Sequence, residues 1–576
     1  MPLDYRVRGN DAFHGGPGML IGIVRRLRPA FAAWQEFHAD CGTQIAVAHA
    51  LICVPALYLA FAALVRALRL PVPLAIQAGL AALLYGAILW RWPLGTGLVS
   101  MRRIAAVAAL LSAAWLAASL LYDSSWDGTS YHLPGLIALS EGWNPFTATR
   151  EPIQVDVQAN GIWTVRAALY ALTGSTEGAK VLNFALLAAA VLTLVPAWME
   201  VRGRPLTLLE LGLVYALAGC TVPLGQAFTF YVDGNVYECG LVLLGAMLLV
   251  GSRHRRAGLG LVAAGIVLIT GAKVSGIYYG PATVAIAGLA IRGRITAPAR
   301  VAALVVAALV VGTVAIGFRP YVTNVRDYGH LVELGPGHDI DRPDAFRDRL
   351  PPAMLAASLL SRSDTEPAPE SKHPWSVRRR ELVSMGVPDT RFGGFGPFFA
   401  LEGLLALAVW GAAARRRPHW GLSDPAFIIA VGLAAMTAIF PEPWLARFAP
   451  FFWGVPIFLA LGAHERSALS RRGAAIVLVL AMANGGVAFA GNLARTALGD
   501  YRMRALVSRL AAAHQEVTVV PVRYGGFAVT AAHRLAVAGI PVRVGDPQWT
   551  AKGGPRCENL TLQRERTSYC LPPPSD

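Results

Sequence analysis

The stretch LYDSSWDGTSYHLPGLIALSEGWNPF, residues 121–146, decides how this chain is read. It follows an apolar run and presents two carboxylates, Asp123 and Asp127, then a Tyr131–His132 pair and an amphipathic segment. Ionisable side chains are expensive in hydrocarbon. An apolar helix that ends in this sequence therefore delivers its chemistry to a membrane surface.

Composition agrees with that reading. Of 576 residues, 55% are hydrophobic and only 15% charged, and the mean hydropathy is +0.49, whereas a soluble domain carries roughly a quarter of charged residues. The net charge of +16 would suit a nucleic-acid partner only on a solvated basic domain. Here the arginines come in small clusters between apolar runs, so no nucleic-acid partner is implied. Six cysteines are too few for a disulfide scaffold. Cys41, Cys53, Cys220 and Cys239 lie in or beside apolar runs, while Cys557 and Cys570 sit in polar sequence where an oxidising compartment would let them pair.

Runs long enough to cross the hydrocarbon core fall at 44–65, 71–90, 104–122, 178–200, 206–229, 236–251, 257–272, 277–291, 300–318, 397–413, 424–440, 447–463 and 473–490. The expectation is an α-helical polytopic membrane protein with about thirteen transmembrane helices. Arg25, Arg26 and Arg28; Arg91, Arg102 and Arg103; Arg202 and Arg204; Arg253, Arg255 and Arg256; Arg292, Arg294 and Arg300; Arg415, Arg416 and Arg417; and Arg466, Arg471 and Arg472 all fall on one side, against Arg66, Arg69 and Arg150 in short loops on the other. By the positive-inside rule the rich side is cytoplasmic. Three regions follow: a cytoplasmic segment at 1–43 with an interfacial helix at 19–37, a membrane domain at 44–490 with outer loops at 123–177 and 319–396, and an outward tail at 491–576. The first outer loop reads as two interfacial helices, and the charge-rich stretch 362–382 as an exposed, partly mobile lid. In the tail VTVVPV, GGFAVTAAHRLAVAGI and PVRVGD have the strand, helix, strand order of a small α/β module.

The acidic loop carrying Asp127 and Tyr131–His132, the later FRPYVTNVRDYGH at 318–330 and the WLARFAPFFWGVP at 444–456 together resemble the GT-C superfamily of integral membrane glycosyltransferases. The resemblance covers about 40–490 and leaves the tail unmatched. It implies a sugar donor carried on polyprenyl phosphate, a glycan, lipid or protein acceptor, and an active site on the outer face of a bacterial cytoplasmic (inner) membrane. It also implies a hexosyl- or pentosyltransferase, inversion at the sugar carbon, and a first-loop acidic residue at Asp127.

Sugar transfer to a hydroxyl needs a base for the acceptor proton and positive groups for the departing phosphate. Asp127 and Asp123 are the candidate catalytic carboxylates, although Asp123 could simply close its span and Asp127 cap the next helix. His132 could meet phosphate or serve structure. Lys273, interrupting an apolar hairpin, Arg319, Arg326 and Arg447 are the candidate cations; the arginines could instead anchor span ends. Tyr321 and Asn324 would line a pocket beside Arg319. Asp233 and Glu238 could complete an acidic site, bind a divalent cation or pair with Lys273. His330, His338, Asp339 and Asp341 match no metal-ligand spacing, and neither a Walker loop nor a dinucleotide fingerprint is present. No cofactor or metal is therefore expected. The rival function is a transporter or flippase of lipid-linked saccharides, which would place its binding groups near the bilayer midplane and repeat its halves.

Overall fold

The computed structural model describes residues 40–94, 99–332, 343–365, 369–416, 423–521, 525–545, 557–562 and 565–570. The helix expected at 19–37 and the residues His338, Asp339 and Asp341 lie outside these. Backbone polar groups in lipid must be satisfied within their own segment, and the apolar runs accordingly fold as helices. Among the described residues, eight are long and apolar enough to cross a membrane: α1 (Cys41–Ala67), α2 (Leu74–Arg91), α3 (Met101–Ser119), α4 (Glu177–Arg202), α5 (Asp233–Val250), α6 (Arg255–Ala272), α7 (Pro298–Ile316) and α8 (Ala468–Ala512). The apolar helices Leu208–Ala218, Pro425–Ala438 and Pro450–Ala463 are shorter, as is Ser275–Ala290. Each of the thirteen apolar runs meets a helix, but the number of complete crossings is not fixed at thirteen. The run at 206–229 is broken, because Gly219 ends one helix and Thr221–Gln226 forms a separate short one.

Helix α5 is the centre of the bundle, every one of its residues buried, whereas in α3 only Val107 and Ala118 are buried, as in a helix whose surroundings are lipid. A helix apolar on all sides is stable only in such surroundings. At 45 residues, α8 is about 68 Å long, roughly twice the hydrocarbon thickness. Its second half packs against the loop after α3, Asp500 accepting from the Tyr122 N–H and Arg504 donating to the Leu120 carbonyl, and carries the C-terminal module.

The helices Leu133–Ser140 and Gly161–Thr173 of the first loop pack on each other instead of lying along an interface, and residues 133–139 are all buried. Their contact depends on Gly135, where a Cβ would stand 2.4 Å from the Trp163 ring. The described residues of 362–382 also differ from a loose lid. Glu381, fully buried, accepts from Arg362 (2.9 Å), Lys372 (2.7 Å) and the Arg378 backbone N–H (2.8 Å). A buried carboxylate held by two cations and an amide tethers its segment, because removing any partner would strand a charge.

In the tail, β1 (Val517–Pro521), α9 (Gly525–Val537) and β2 (Val542–Val544) form a parallel crossover, and the hairpin β3 (Cys557–Leu562) and β4 (Glu565–Cys570) adds β4 antiparallel to β1, giving the sheet order β2-β1-β4-β3. Its core joins Val517, Val519, Ala528, Ala531, Leu535 and Tyr569 to Leu506 and Leu510 of α8. The module is thus built onto the end of the long helix. Cys570 is disulfide-bonded, and Cys557 is its register partner across the hairpin. The other four cysteines are free and buried.

Candidate active site

Four elements meet at the end of the bundle where α3 and α6 finish and α5 begins. The loop after α3 brings Asp127, the first turn of α5 brings Asp233, the break after α6 brings Lys273, and a short turn ahead of Pro450–Ala463 brings Arg447. Arg447 therefore precedes its helix and does not open it. The backbone of 446–447 is tied to the outer segment, with the Arg447 N–H donating to the Thr390 carbonyl (3.1 Å) and that of Ala446 to Arg391 (3.3 Å). That pairing brings Asp389 beside Arg447.

The side chains form one connected ion cluster. Arg447 Nη1 is 2.7 Å from Asp127 Oδ2 and 3.4 Å from Asp233 Oδ2, its Nε is 2.8 Å from Asp389 Oδ1, and Lys273 Nζ is 2.5 Å from Asp233 Oδ1. The close approach of Arg447 Nε to Asp389 Oδ1 is an ion pair without hydrogen-bond alignment, since neither atom has a bonded partner. Burial by itself would lower the Arg447 pKa, but the charges of Asp389, Asp127 and Asp233 outweigh it and hold the guanidinium well above its ordinary value. Arg447 and Lys273 also lie against Phe448, their charged groups 5.0 and 3.7 Å from the ring centre. A permanently charged fork thus stands among three carboxylates.

Two buried groups set the shape of this site. Asp123 accepts from the N–H groups of Ser125 and Phe230, both at 2.7 Å, and so ties the Asp127 loop to the turn at 226–233. Burial raises its pKa, and Lys180 opposes the rise. Gly128 must lack a side chain, because a Cβ there would stand 2.0 Å from Asp123 Oδ2. On the other flank Arg166, fully buried, donates to the carbonyls of Phe230 (2.6 Å) and Tyr231 (3.3 Å) and to Asn183 (2.7 Å). Through its two terminal nitrogens this buried guanidinium fixes the turn that carries Tyr231 and Asp233.

A cavity of about 640 Å³ opens over the cluster, lined among others by Trp126, Asp127, Tyr231, Asp364, Asp389, Arg391, Arg447 and Arg495. That is within the size range of small-molecule sites. Sequence reasoning singled out Asp127 and Arg447 of these, and missed Asp364, Asp389, Arg391 and Arg495. Three come from the charge-rich outer segment, and Arg495 lies on α8 beyond the apolar run, where charges are ordinary. Asp233 and Lys273 stand behind Arg447 and do not line the cavity.

The remaining candidates lie apart. His132 is buried, its Nδ1 accepts from Trp163 Nε1 at 2.8 Å, and burial followed by the Arg166 charge holds its pKa well below the ordinary value, so it is neutral and packs the loop. Glu238 is buried one turn into α5 and bonded by Asn235 at 3.3 Å. Arg319 is paired with Asp156 and donates to the Pro145 carbonyl, Tyr321 bonds to the Thr270 carbonyl, and Asn324 donates to the carbonyls of Val157 and Leu331. Arg326 is exposed and paired with Asp327. Among the described residues, Glu210, His464 and Glu465 have metal-ligand spacing, but they lie at the opposite end of α4, where Arg202 and Arg204 already hold Glu210. At the cavity, Arg447 occupies the place between the carboxylates that a cation would take.

No protein-family model and no curated protein matches the chain. Among solved structures it is similar to ArnT from Cupriavidus metallidurans bound to undecaprenyl phosphate, with 13% identity and a TM-score of 0.42 over 82% of this chain and 98% of that one. A likeness at that level carries no argument about activity.

Proposed function

We propose that this chain is a membrane glycosyltransferase of GT-C type that moves a sugar from a polyprenyl-phosphate donor to a hydroxyl acceptor. The observation that carries the reading is that Asp127, Arg391, Arg447 and Arg495 line one cavity at one end of an apolar bundle. Guanidinium groups suit a phosphate because they offer paired, charge-assisted hydrogen bonds. In this reading Asp127 takes the acceptor hydroxyl proton as the oxygen attacks the anomeric carbon. The bond from that carbon to the phosphate oxygen breaks, and the lipid phosphate leaves with the electron pair, met by the arginines. A single displacement of this kind inverts the sugar carbon.

A transporter would hold its cargo nearer mid-bilayer, and the position of the cavity at the helix ends favours transfer. The site is proposed to face the exterior of a bacterial cytoplasmic membrane. This is supported by the arginine clusters at the opposite helix ends, including Arg102, Arg202 and Arg255, and by the disulfide of Cys570. Reporter fusions at Arg255 and Asp500 are expected to read inside and outside; an inside signal at Asp500 would reverse the orientation.

The donor-binding role of the arginines is tested with undecaprenyl phosphate itself. Arg391→Ala combined with Arg495→Ala is expected to weaken its binding to the purified chain by at least about tenfold, since each lost charge-assisted bond is worth roughly 1.5–3 kcal/mol. Binding unchanged in the double variant would remove the phosphate from this cavity.

A further inference from the structure

The C-terminal module is joined to the loop that carries Asp127 by one face of α9. Gly526, Thr530 and Arg534 recur every four residues and so share a side of the helix, and Phe527 lies beside them. Each meets a different part of the loop. A Cβ on Gly526 would stand 1.6 Å from the Ser130 carbonyl oxygen, so the helix backbone lies directly on the loop backbone there. Phe527 packs edge-on to Trp126 with ring centres 5.2 Å apart, and Thr530 donates to the Thr129 carbonyl at 2.8 Å.

Arg534 is the deepest of these contacts. Only 3% exposed, it donates to Glu177 Oε1 through Nε (3.1 Å) and Nη2 (2.5 Å), and through Nη2 also to the Asp123 backbone carbonyl (2.7 Å). Glu177 in turn accepts from the Asp123 N–H (3.0 Å) and pairs with Lys180 (2.8 Å). The guanidinium also lies 4.9 Å from the centre of the Tyr122 ring. The loop's entry is therefore fastened at both the N–H and the carbonyl of Asp123, and one of those two fastenings comes from the tail.

We infer that the C-terminal module is a positioning element for the candidate active site, with Arg534 as the positioning residue that fixes the entry of the Asp127 loop. None of the four α9 residues lines the cavity; they act through residues 122–130, of which Trp126 and Asp127 do. A loop held at fewer points would sample more conformations, and a carboxylate misplaced by about 1 Å can lose on the order of a hundredfold in rate. The module adds a restraint to those that Glu177 and the Phe230 N–H already place on the loop. The inference rests on Asp127 standing in the site, but its test uses no substrate and so succeeds or fails independently of the transfer reading.

Hydrogen exchange on the full-length chain in detergent separates positioning from simple stabilisation. Arg534→Met is expected to speed exchange of amides within 122–132 by at least tenfold while β1 and β4 stay within about twofold of wild type. Arg534→Lys, which can pair with Glu177 but lacks the fork to reach Asp123 as well, is expected to fall between the two. Unchanged exchange at 122–132 would overturn the inference. So would equal acceleration in β1 and β4, which would mean that Arg534 only stabilises the module. Should Arg534→Met not fold, Thr530→Val removes a single hydrogen bond and is expected to speed exchange at 128–132 severalfold; no change there would also overturn it.

Discussion

Asp127→Asn is expected to lower transfer by roughly two to four orders of magnitude, the usual contribution of a positioned general base, while undecaprenyl-phosphate binding stays within a few-fold of wild type. The amide keeps the shape of the carboxylate and can still accept from Arg447 at the position of Oδ2, 2.7 Å away, so it leaves the cavity's outline and loses the capacity to take a proton. A fall in kcat with binding retained is the signature of a group that acts as the acceptor oxygen attacks. Asp389 is the competing carboxylate, because it lines the same cavity. Should Asp389→Asn abolish transfer and Asp127→Asn leave it intact, the base belongs to the outer segment. Asp123→Asn separates fold from chemistry. Its carboxylate is occupied by two backbone N–H groups, so the amide is expected to cost stability, about 1–3 kcal/mol, with activity falling only as the loop loosens.

Arg447→Ala should produce the largest combined effect. Asp127, Asp233 and Asp389 all approach this one side chain, and without it Lys273 remains against Asp233. Breaking a fully buried ion cluster by removing one partner costs about 3–5 kcal/mol; this cluster is partly open to the cavity, so the cost is smaller, and thermal unfolding in detergent is expected to come earlier. Transfer should vanish together with donor binding, because a phosphate is charged in the ground state as well as on departure. Arg447→Lys restores the charge and not the fork. It is expected to recover most of the stability and little of the turnover, since a single ammonium cannot face three carboxylates at once. An Arg447→Ala protein that melts and turns over like wild type would contradict the cluster's role.

How far the sequence could be read depended on what kind of signal each residue leaves. Apolar runs mark helices because lipid permits little else, and the module's strands and helix follow from equally local patterns. Where helices break is less legible: Gly219 divides the run at 206–229, and hydropathy alone reads straight through it. At the site, Asp127, Asp233, Lys273 and Arg447 stand out because charge at the end of an apolar run is costly and rare. The same signal also selects Asp123, Glu238 and Arg319, which are equally costly but answer to internal partners such as the Phe230 N–H, Asn235 and Asp156. Nothing in a sequence separates a buried charge with a bonded partner from one that faces a cavity. Asp389 and Arg391 were invisible for the opposite reason. They lie in polar sequence where charge is cheap, and only the backbone pairing of 390–391 with 446–447 brings them to Arg447.

The central claim is that the cavity over Asp127 and Arg447 breaks the sugar–phosphate bond of a lipid-linked donor. It is tested most directly by purified chain in proteoliposomes given a panel of radiolabelled polyprenyl-phosphate sugars with a membrane-lipid acceptor extract, following release of free polyprenyl phosphate alongside movement of label between leaflets. The account predicts release with at least one donor, with label appearing on the acceptor, and neither in Asp127→Asn. Label that crosses the bilayer with the donor intact, at the same rate in wild type and Asp127→Asn, would contradict it and make the chain a transporter.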